Sequence, residues 1–456
     1  MSHRQFLSIG AGLIALAAGA ARAESLNDAL VAAYLNNPTL AAQRASLRAV
    51  DETVSQAVAG WRPTVRLTGT AGDTKADTAA TRESRLNPDS RAASVSQNLY
   101  SGGRTVSGIA KAEADVQAGR ATLHGTEQTV LLQAATAYLD VLRDIAILDL
   151  NRGNVQVLTR QLEATQDRFR VGEITRTDVA QAEARLQLAT SNRVQAEGNL
   201  ISTRATYRRV MGELPGPLER IGEASGLPRS EDEAVALAVA EHPTLVTAVR
   251  NEDSAKHSVD VAEGALLPTL GLTGDWSHSN EASQRSTSAR ESYSKTTSAL
   301  LTLTVPLYQS GSEYSTVRQS KQTAAQRRLQ VEEARRTVVE GVTRAWEALN
   351  TARARIQSTG AQVRAAELAL EGVREEANVG ARTTLDVLDA EQELLNARVS
   401  LVTAQRDAAV ASFTLKGAIG RLTASHMQLP VASYDPTMNY RGVRDRWIGL
   451  DIDASK

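Results

Sequence analysis

The sequence predicts a mainly α-helical chain that is internally duplicated and that contributes four β-strands to a membrane β-barrel. Three observations lead to this fold class. Helix-start and proline landmarks recur about two hundred residues apart, which indicates a duplication. A pair of alternating strands follows each set of landmarks, and two stretches of roughly sixty residues with few Gly and no Pro predict very long helices.

Composition sets the first limits. The 456 residues include no Cys, only 4% are aromatic, and the net charge is −1. The near-neutral charge argues against binding to nucleic acid. The apolar residues are dominated by Ala, which suits closely packed long helices better than a thick globular core.

The first 23 residues have the pattern of a signal peptide. His3 and Arg4 precede the apolar run 6–20, and Ala21-Arg22-Ala23 forms a small-x-small cleavage site. We therefore expect export, with cleavage after about Ala23. A transmembrane anchor is the alternative, but the run is short and an arginine ends it. Without Cys, no lipid anchor can form at the new N-terminus.

The duplication is visible in matched landmarks. The capping pattern that starts at Ser25 recurs at Ser230, an offset of 230 − 25 = 205 residues. Asn37-Pro38 recurs as His242-Pro243 at the same offset. The predicted organisation is a first repeat at 24–213, a linker at 214–229, a second repeat at 230–421 and an irregular C-terminal segment at 422–456.

After the next proline of each copy, Pro63 or Pro268, the hydrophobic period changes to two. This alternation predicts β-hairpins at about 62–100 and about 268–308, each with one apolar and one polar face. The predicted apolar positions are Val65, Leu67, Gly69, Ala71, Ala93, Val95 and Leu99 in the first copy, and Leu270, Leu272, Gly274, Trp276, Ala299, Leu301, Leu303, Val305 and Leu307 in the second.

Long helices are predicted at about 105–170 and about 315–378, and each would measure ~100 Å at 1.5 Å per residue. Return helices follow at about 177–212 and about 384–420. Apolar residues in steps of four and three predict coiled-coil packing. They are Val338, Val342, Ala345, Leu349, Ala352 and Ile356.

Four strands of about ten residues have the length to cross a bilayer at a tilt. Four strands cannot close on themselves, and open edges in lipid would leave backbone groups unpaired, so several chains must share one barrel. Trp61, Tyr100, Trp276 and Tyr308 fall near strand ends, where an aromatic girdle would lie. The alternative is a periplasmic coiled-coil structural or adaptor protein with soluble hairpins and no barrel.

The chain resembles the TolC family of outer-membrane channels. The resemblance rests on the signal peptide, the twofold repeat, the Leu-Tyr-x-x-Gly turns and, above all, Val379-Gly380-Ala381-Arg382-Thr383-Thr384-Leu385-Asp386-Val387-Leu388-Asp389-Ala390. It implies a homotrimer whose strands form a twelve-stranded barrel in outer-membrane lipid and whose helices form a periplasmic α-barrel. It also implies a passive exit duct that works with a periplasmic adaptor and an inner-membrane ABC exporter or RND-type pump. Whether proteins or drugs are the main substrate stays open.

Two carboxylates, Asp386 and Asp389, lie three residues apart on one face of a predicted helix. Asp178 matches the first of them in the other copy, and Gln181 takes the place of the second. Helix capping by Thr383 and Thr175 alone would explain Asp386 and Asp178. The resemblance implies more, because the family places a cation-selective pore constriction on the pair Asp386 and Asp389.

The resemblance also implies a gate latch formed by Arg382, Thr177 and Asp178, although Ala377 stands where the family has a tyrosine. The turns Val171-Gly172 and Val379-Gly380 would be the tips that contact the adaptor. Both Gly residues are also expected from turn chemistry alone, because they allow positive φ.

Nothing in the sequence indicates an enzyme. The six His are scattered, and there is no H-E-x-x-H, G-x-S-x-G or phosphate-loop spacing. We expect no cofactor and no metal site. His242 aligns with Asn37 of the first copy, so a structural role is expected for it.

Overall fold

The computed structural model describes residues 23–78, 81–283 and 292–452. It confirms the mainly helical, internally duplicated fold class. The first copy contains α1 (Leu26–Asn36), α2 (Pro38–Val58), β1 (Thr64–Ala71), β2 (Thr74–Thr78), β3 (Thr81–Ser101), α3 (Arg104–Arg170) and α4 (Arg176–Met211). The second contains α5 (Glu231–Glu241), α6 (Pro243–Gly264), β4 (Thr269–Ser283), β5 (Ser292–Thr304), α7 (Ser312–Asn378) and α8 (Thr384–Ala418).

The chain divides into two compact units. The described residues of the first, here called the tip unit, lie within Met1–Leu35, Gln133–Glu223 and Arg355–Val410. Those of the second, here called the strand unit, lie within Asn36–Leu132, Ala224–Ala354 and Ala411–Lys456. The predicted signal peptide falls outside the described residues, except for Ala23.

Matched caps begin the second helix of each copy. The side chain of Asn37 accepts a hydrogen bond from the amide of Thr39 at 2.9 Å, and a proline occupies the first helical turn. In the second copy, Nδ1 of His242 accepts from the amide of Thr244 at 3.2 Å. Burial lowers the pKa of His242, which favours the neutral ring that accepts this bond. The imidazole therefore replaces an Asn cap, in agreement with its expected structural role.

The strands form one antiparallel sheet in the order β1-β3-β4-β5, and β2 also pairs with β3. Val65 pairs with Val95, Val95 with Gly274, and Gly274 with Ala299. Side chains at paired positions share a face, so the predicted apolar faces of the two hairpins join into one. Among the described residues, β1 and β2 form one edge of this sheet and β5 forms the other.

Three details differ from the expected hairpins. The first strand of the first hairpin is interrupted at Gly72 and Asp73, which separate β1 from β2. There the amide of Gly72 donates to the carbonyl of Pro88 at 3.0 Å. In β3 the register shifts between Asn98 and Tyr100, so Leu99 lies in a bulge and Tyr100 takes the expected place opposite Leu270.

The third difference is the end of β5. This strand stops at Thr304, so Val305 and Leu307 are not strand residues. Pro306 between them has no N–H to continue the ladder, which gives a physical reason for the early end.

The strand unit has an aliphatic core in which α5, α6 and α7 meet the C-terminal end of α8. It contains Ala234, Ala238, Leu245, Val338, Val342, Ala345, Leu349, Leu415 and Ile419. The first five positions of the predicted heptad, 338 to 352, are all buried, and Ile356 is half-buried. The spacing in steps of four and three thus marks the packed side of α7.

In the tip unit, Glu24, two residues before α1, is bonded into the linker between the copies. The amide of Glu24 donates to the carbonyl of Pro217 at 2.7 Å, and its carbonyl accepts from the amide of Glu219 at 3.0 Å. The buried hydroxyls of Tyr138 and Tyr207 donate to the Glu24 carbonyl and carboxylate, respectively. Burial raises the pKa of Tyr138 to about 12, so this phenol remains a donor at ordinary pH.

The C-terminal segment contains a short helix, α9 (Met438–Val443), where only irregular structure was expected. Asn439 donates to the buried carboxylate of Asp51 at 2.8 Å, and Tyr440 packs on the cluster around Val54 and Val116. These contacts hold a helix too short to be stable alone. No helix among the described residues is long and apolar enough to cross a membrane.

Candidate functional site

The two long hairpins of the tip unit end in matching turns. Gly172 has φ +82° and Gly380 has φ +81°, so both lie in the left-handed region that favours glycine. In each turn an amide donates to a carbonyl oxygen five residues back, at 3.0 Å and 2.8 Å. The preceding residues, Val171 and Val379, are 72% and 80% exposed. Each turn therefore presents an apolar side chain at the end of its hairpin.

A capping box follows each turn. In the first, the backbone N–H and hydroxyl of Thr175 donate to Asp178 at 2.9 and 2.8 Å. In the second, Thr383 donates to Asp386 in the same way, at 2.9 and 2.8 Å. These bonds lower the pKa of both carboxyls, with the Thr175 hydroxyl the largest cause at Asp178 and the Thr383 N–H the largest at Asp386. Both carboxylates are anionic helix caps.

Asp389 has a different partner from Asp386. Its carboxylate accepts a hydrogen bond from the guanidinium of Arg185, which lies on α4 of the other hairpin. The Asp389 side chain is 55% exposed and the Arg185 side chain is 31% exposed, so solvent partly screens the ion pair. Of the two carboxylates, Asp389 is therefore paired with the Arg185 cation, and Asp386 accepts the hydrogen bonds of its capping box.

Packing fixes the position of this ion pair. Leu388 is 2% exposed and lies in a cluster with Leu158 of α3 and Ala182 and Ala189 of α4. The start of α8 is thus anchored on the first hairpin by the residue next to Asp389. Arg185 is one helical turn from Ala182 on α4, which brings its guanidinium to the same place.

Each tip also carries an ion pair across its turn. Nε of Arg382 lies 2.8 Å from a carboxylate oxygen of Glu376, which raises the pKa of this guanidinium. In the first copy, Nε of Arg168 lies 3.0 Å from Glu173. The predicted latch residue Arg382 is therefore already paired within its own hairpin.

A crevice of about 930 Å³ lies between the two tip turns. Asp178 and Arg382 both line it, so two of the three predicted latch residues face one space. Ala377 lines the same crevice, at the position where the resemblance implied a tyrosine. Thr177 is exposed in the first turn of α4 and is not among the described residues that line the crevice.

Sequence reasoning missed Arg185. It lies 204 residues from Asp389 along the chain, and no local spacing connects the two. A comparison of the copies gave the only available hint, because Arg185 follows Gln181, the counterpart of Asp389, by one helical turn. In the described part of the chain, no group of three His, Asp or Glu side chains could hold a metal ion.

Comparison with known proteins identifies the kind of protein that has this architecture. A family model described as "Outer membrane efflux protein" matches residues 29–213 and 234–421, which are the two copies of the repeat. The outer membrane efflux protein BepC of Brucella suis is 38% identical over 433 residues, covering 94% of this chain and 93% of the relative. The outer membrane protein TolC of Vibrio cholerae is 28% identical, covering 88% and 92%.

A solved structure supports the same fold. The Campylobacter jejuni CmeC outer membrane channel superposes with a TM-score of 0.76 at 16% identity, covering 92% of this chain and 89% of that one. The family match and the similarity to BepC and TolC favour an export channel over the alternative of a periplasmic structural or adaptor protein without a barrel.

Proposed function

The chain belongs to the outer membrane efflux protein family, and we propose that three copies of it form a passive exit duct across the outer membrane. The observation that carries this proposal is the open sheet, in which the predicted apolar positions of both hairpins share one face and in which β1 and β5 lie at opposite edges. An unpaired edge within lipid costs several kcal/mol per backbone group. Pairing β5 of one copy with β1 of the next continues the antiparallel order. Three copies then close twelve strands.

The absence of Cys from the sequence makes this closure testable by crosslinking. Cysteines placed one on β1 and one on β5, scanned over positions 65–69 and 299–303, should give covalent trimers in denaturing gels. The matched control places both cysteines at Val95 and Gly274, which are paired within one chain. The control should give only an intrachain disulfide. A scan that yields no covalent trimer from any edge pair contradicts the shared barrel.

At the tips, we propose that Asp386 and Asp389 line a cation-selective constriction. Three copies would bring three caps and three Asp389–Arg185 pairs around the axis. Rings of carboxylates attract cations and select against anions. Asp389 forms an ion pair with Arg185, whereas Asp386 is held by hydrogen bonds from Thr383, so the Asp386 ring would supply the carboxylates that form no direct ion pair.

Arg382, Asp178 and Thr177 form the proposed latch that keeps the tips together. The support is the shared crevice, which places Arg382 and Asp178 within one space. Glu376 competes for the same guanidinium at 2.8 Å. Replacing Arg382 with Ala should raise single-channel conductance in a planar bilayer. Glu376→Gln should leave the conductance unchanged or lower it. Equal, unchanged conductance in both variants contradicts the latch.

The exposed valines at the tip turns are the proposed contacts for a periplasmic adaptor, which joins the duct to an inner-membrane ABC exporter or RND-type pump. Among the relatives, BepC is described as an efflux protein and AprF of Pseudomonas aeruginosa as an alkaline protease secretion protein. We favour efflux as the main use, since the BepC similarity extends over most of both chains. Val171→Asp and Val379→Asp should abolish adaptor-dependent drug resistance while leaving trimers in the outer membrane.

A further inference from the structure

The end of the described chain, Arg446–Ile452, carries four apolar side chains into solvent, and we call it the tail turn. Trp447 is 67% exposed, Ile448 90%, Leu450 101% and Ile452 86%. Such high exposure of four apolar side chains within seven residues indicates a surface that lipid or another molecule covers.

The tail turn has a defined geometry. Nη1 of Arg446 donates to the carbonyl of Asp451 at 2.6 Å, which folds the segment around the guanidinium. Gly449 lies at φ +129°, and a Cβ there would come within 2.5 Å of the Arg446 guanidinium. The positive φ is the reason that glycine is favoured at this position. The Arg446–Asp451 bond thus closes the turn, while the apolar side chains remain exposed.

Its position relative to the sheet suggests what covers it. Nη1 of Arg62 donates to the carbonyl of Arg446 at 2.6 Å, and the Arg62 guanidinium lies 5.0 Å from the ring centre of Trp447. Arg62 is two residues before Thr64, where β1 begins. The tail turn is thus fixed beside the end of a strand with an exposed apolar face.

Other exposed apolar groups lie at the same end of the sheet. Trp61 precedes β1, and Leu307 and Tyr308 follow β5 with 89% and 79% exposure. In an antiparallel sheet with this strand order, the start of β1 and the end of β5 lie at one end, where the helices attach. The tail turn therefore continues a band of apolar and aromatic residues at the helix end of the strands.

We infer that the tail turn inserts into the inner leaflet of the outer membrane and that its occupant is phospholipid. The inference rests on the proposed placement of the strands in the membrane. The apolar side chains would enter the acyl boundary, and the guanidiniums of Arg62 and Arg446 at their base would meet phosphodiester oxygens. Apolar and basic side chains together favour binding to a lipid surface. The apolar groups are buried among acyl chains, and the basic groups are attracted to phosphates.

A second copy of the chain is a less suitable occupant. The four side chains come from a single segment of seven residues, whereas stable contacts between subunits need a broad complementary surface. The two guanidiniums beside them would have to be desolvated in such a contact. At the membrane interface, the same groups stay hydrated next to phosphates.

Site-directed spin labelling of the full-length protein in phospholipid vesicles tests the inference. The chain has no Cys, so Ile448→Cys and, separately, Leu450→Cys each give one labelled site. Leu67→Cys on the apolar face of β1 is the lipid reference, and Leu214→Cys in the linker is the water reference. Relaxation of each label by oxygen, which concentrates in lipid, is compared with relaxation by a water-soluble nickel chelate.

The expected result is a loss of nickel relaxation and a gain of oxygen relaxation at 448 and 450, as at position 67. Nickel relaxation at 448 and 450 equal to that at 214 would overturn the inference while leaving the barrel intact. Protection from both reagents would also overturn it, because it means that a protein surface covers the turn. Nickel access at position 67 would refute the membrane placement of the strands itself, and the inference would fail with it.

Discussion

Replacing Arg185 with Gln tests how the two carboxylates of the candidate constriction divide their roles. Arg185 is the partner of Asp389 across the two hairpins, and Asp386 is held by Thr383 instead. Removing the guanidinium leaves Asp389 in place without its balancing charge. If both carboxylates face the conducting path, the duct should then bind cations more tightly.

The expected size follows from the exposure of the pair. With side chains 31% and 55% exposed, the ion pair belongs to the partly solvated class, in which an interaction contributes about 0.2–1 kcal/mol. Three copies around the axis make the total about 0.6–3 kcal/mol. At 1.4 kcal/mol per tenfold change, the dissociation constant of a blocking cation falls about threefold to about a hundredfold.

The assay is single-channel recording in a planar bilayer with a multivalent cation added on the periplasmic side. Arg193→Gln is the matched control, because Arg193 lies on the same helix but pairs with Glu197 at 3.2 Å, away from the carboxylate pair. Arg193→Gln should leave the block unchanged. The double variant Arg185→Gln/Asp389→Asn should return the block close to that of the unmodified chain.

Two results would refute this reasoning. Unchanged block in Arg185→Gln, together with loss of block in Asp386→Asn, would show that Asp389 does not face the cation path. Equal tightening in Arg185→Gln and Arg193→Gln would show that the effect comes from net charge on the helix and not from this carboxylate.

Three further predictions concern a helix cap, a glycine with positive φ and a buried tyrosine. Hydrogen bonds from Thr383 lower the pKa of Asp386, so its carboxylate stays charged at a pH where an ordinary Asp is protonated. Its contribution to helix stability and the block of the duct by cations are therefore lost only as pH falls through the lowered pKa. Thr383→Ala raises that pKa, so block titrated in bilayers should disappear at a higher pH than in the unmodified chain; an unchanged midpoint would contradict the cap. Gly420→Ala should lower the urea midpoint more than Gly172→Ala, because both have positive φ but only Gly420 would place a Cβ 3.1 Å from a carbonyl oxygen; equal losses would show that the contact is not felt. Tyr207→Phe removes the buried hydroxyl that donates to the Glu24 carboxylate and should lower the free energy of unfolding by about 1–3 kcal/mol. The loss should appear as faster proteolysis of the 214–229 linker. An unchanged rate of proteolysis would contradict a stabilising role for this bond.

Much of the fold could be predicted because its determinants are local. The Asn-Pro and His-Pro pairs both restart helices, and period-two alternation marks the strands that form the sheet. The bulge at Leu99 could not be predicted, because it depends on the register against β4. Helix α9 was missed because its stability comes from contacts with α2 and α3 and not from its own six residues.

The candidate site shows the same division. The caps at Asp178 and Asp386 follow from a Thr three residues earlier, a spacing that local sequence reveals. The Arg185–Asp389 pair joins two hairpins and needs the packing of Leu388 against α3 and α4 to form. A single sequence contains no local pattern for such a contact, and this contact decides how much free charge the pair of carboxylates carries.

The tip ion pairs show how the duplicated halves have diverged in charge. Two residues before the end of the long helix stands Arg168 in the first copy and Glu376 in the second, an offset of 376 − 168 = 208 residues. Each pairs with an opposite charge beyond its glycine. The sign of the pair is thus reversed between two turns of the same backbone geometry. Each pair is neutral as a whole, because the cation and the carboxylate lie on opposite sides of the same glycine. The reversal therefore exchanges which side of the turn carries the cation and leaves the net charge that these four residues give the two tips at zero.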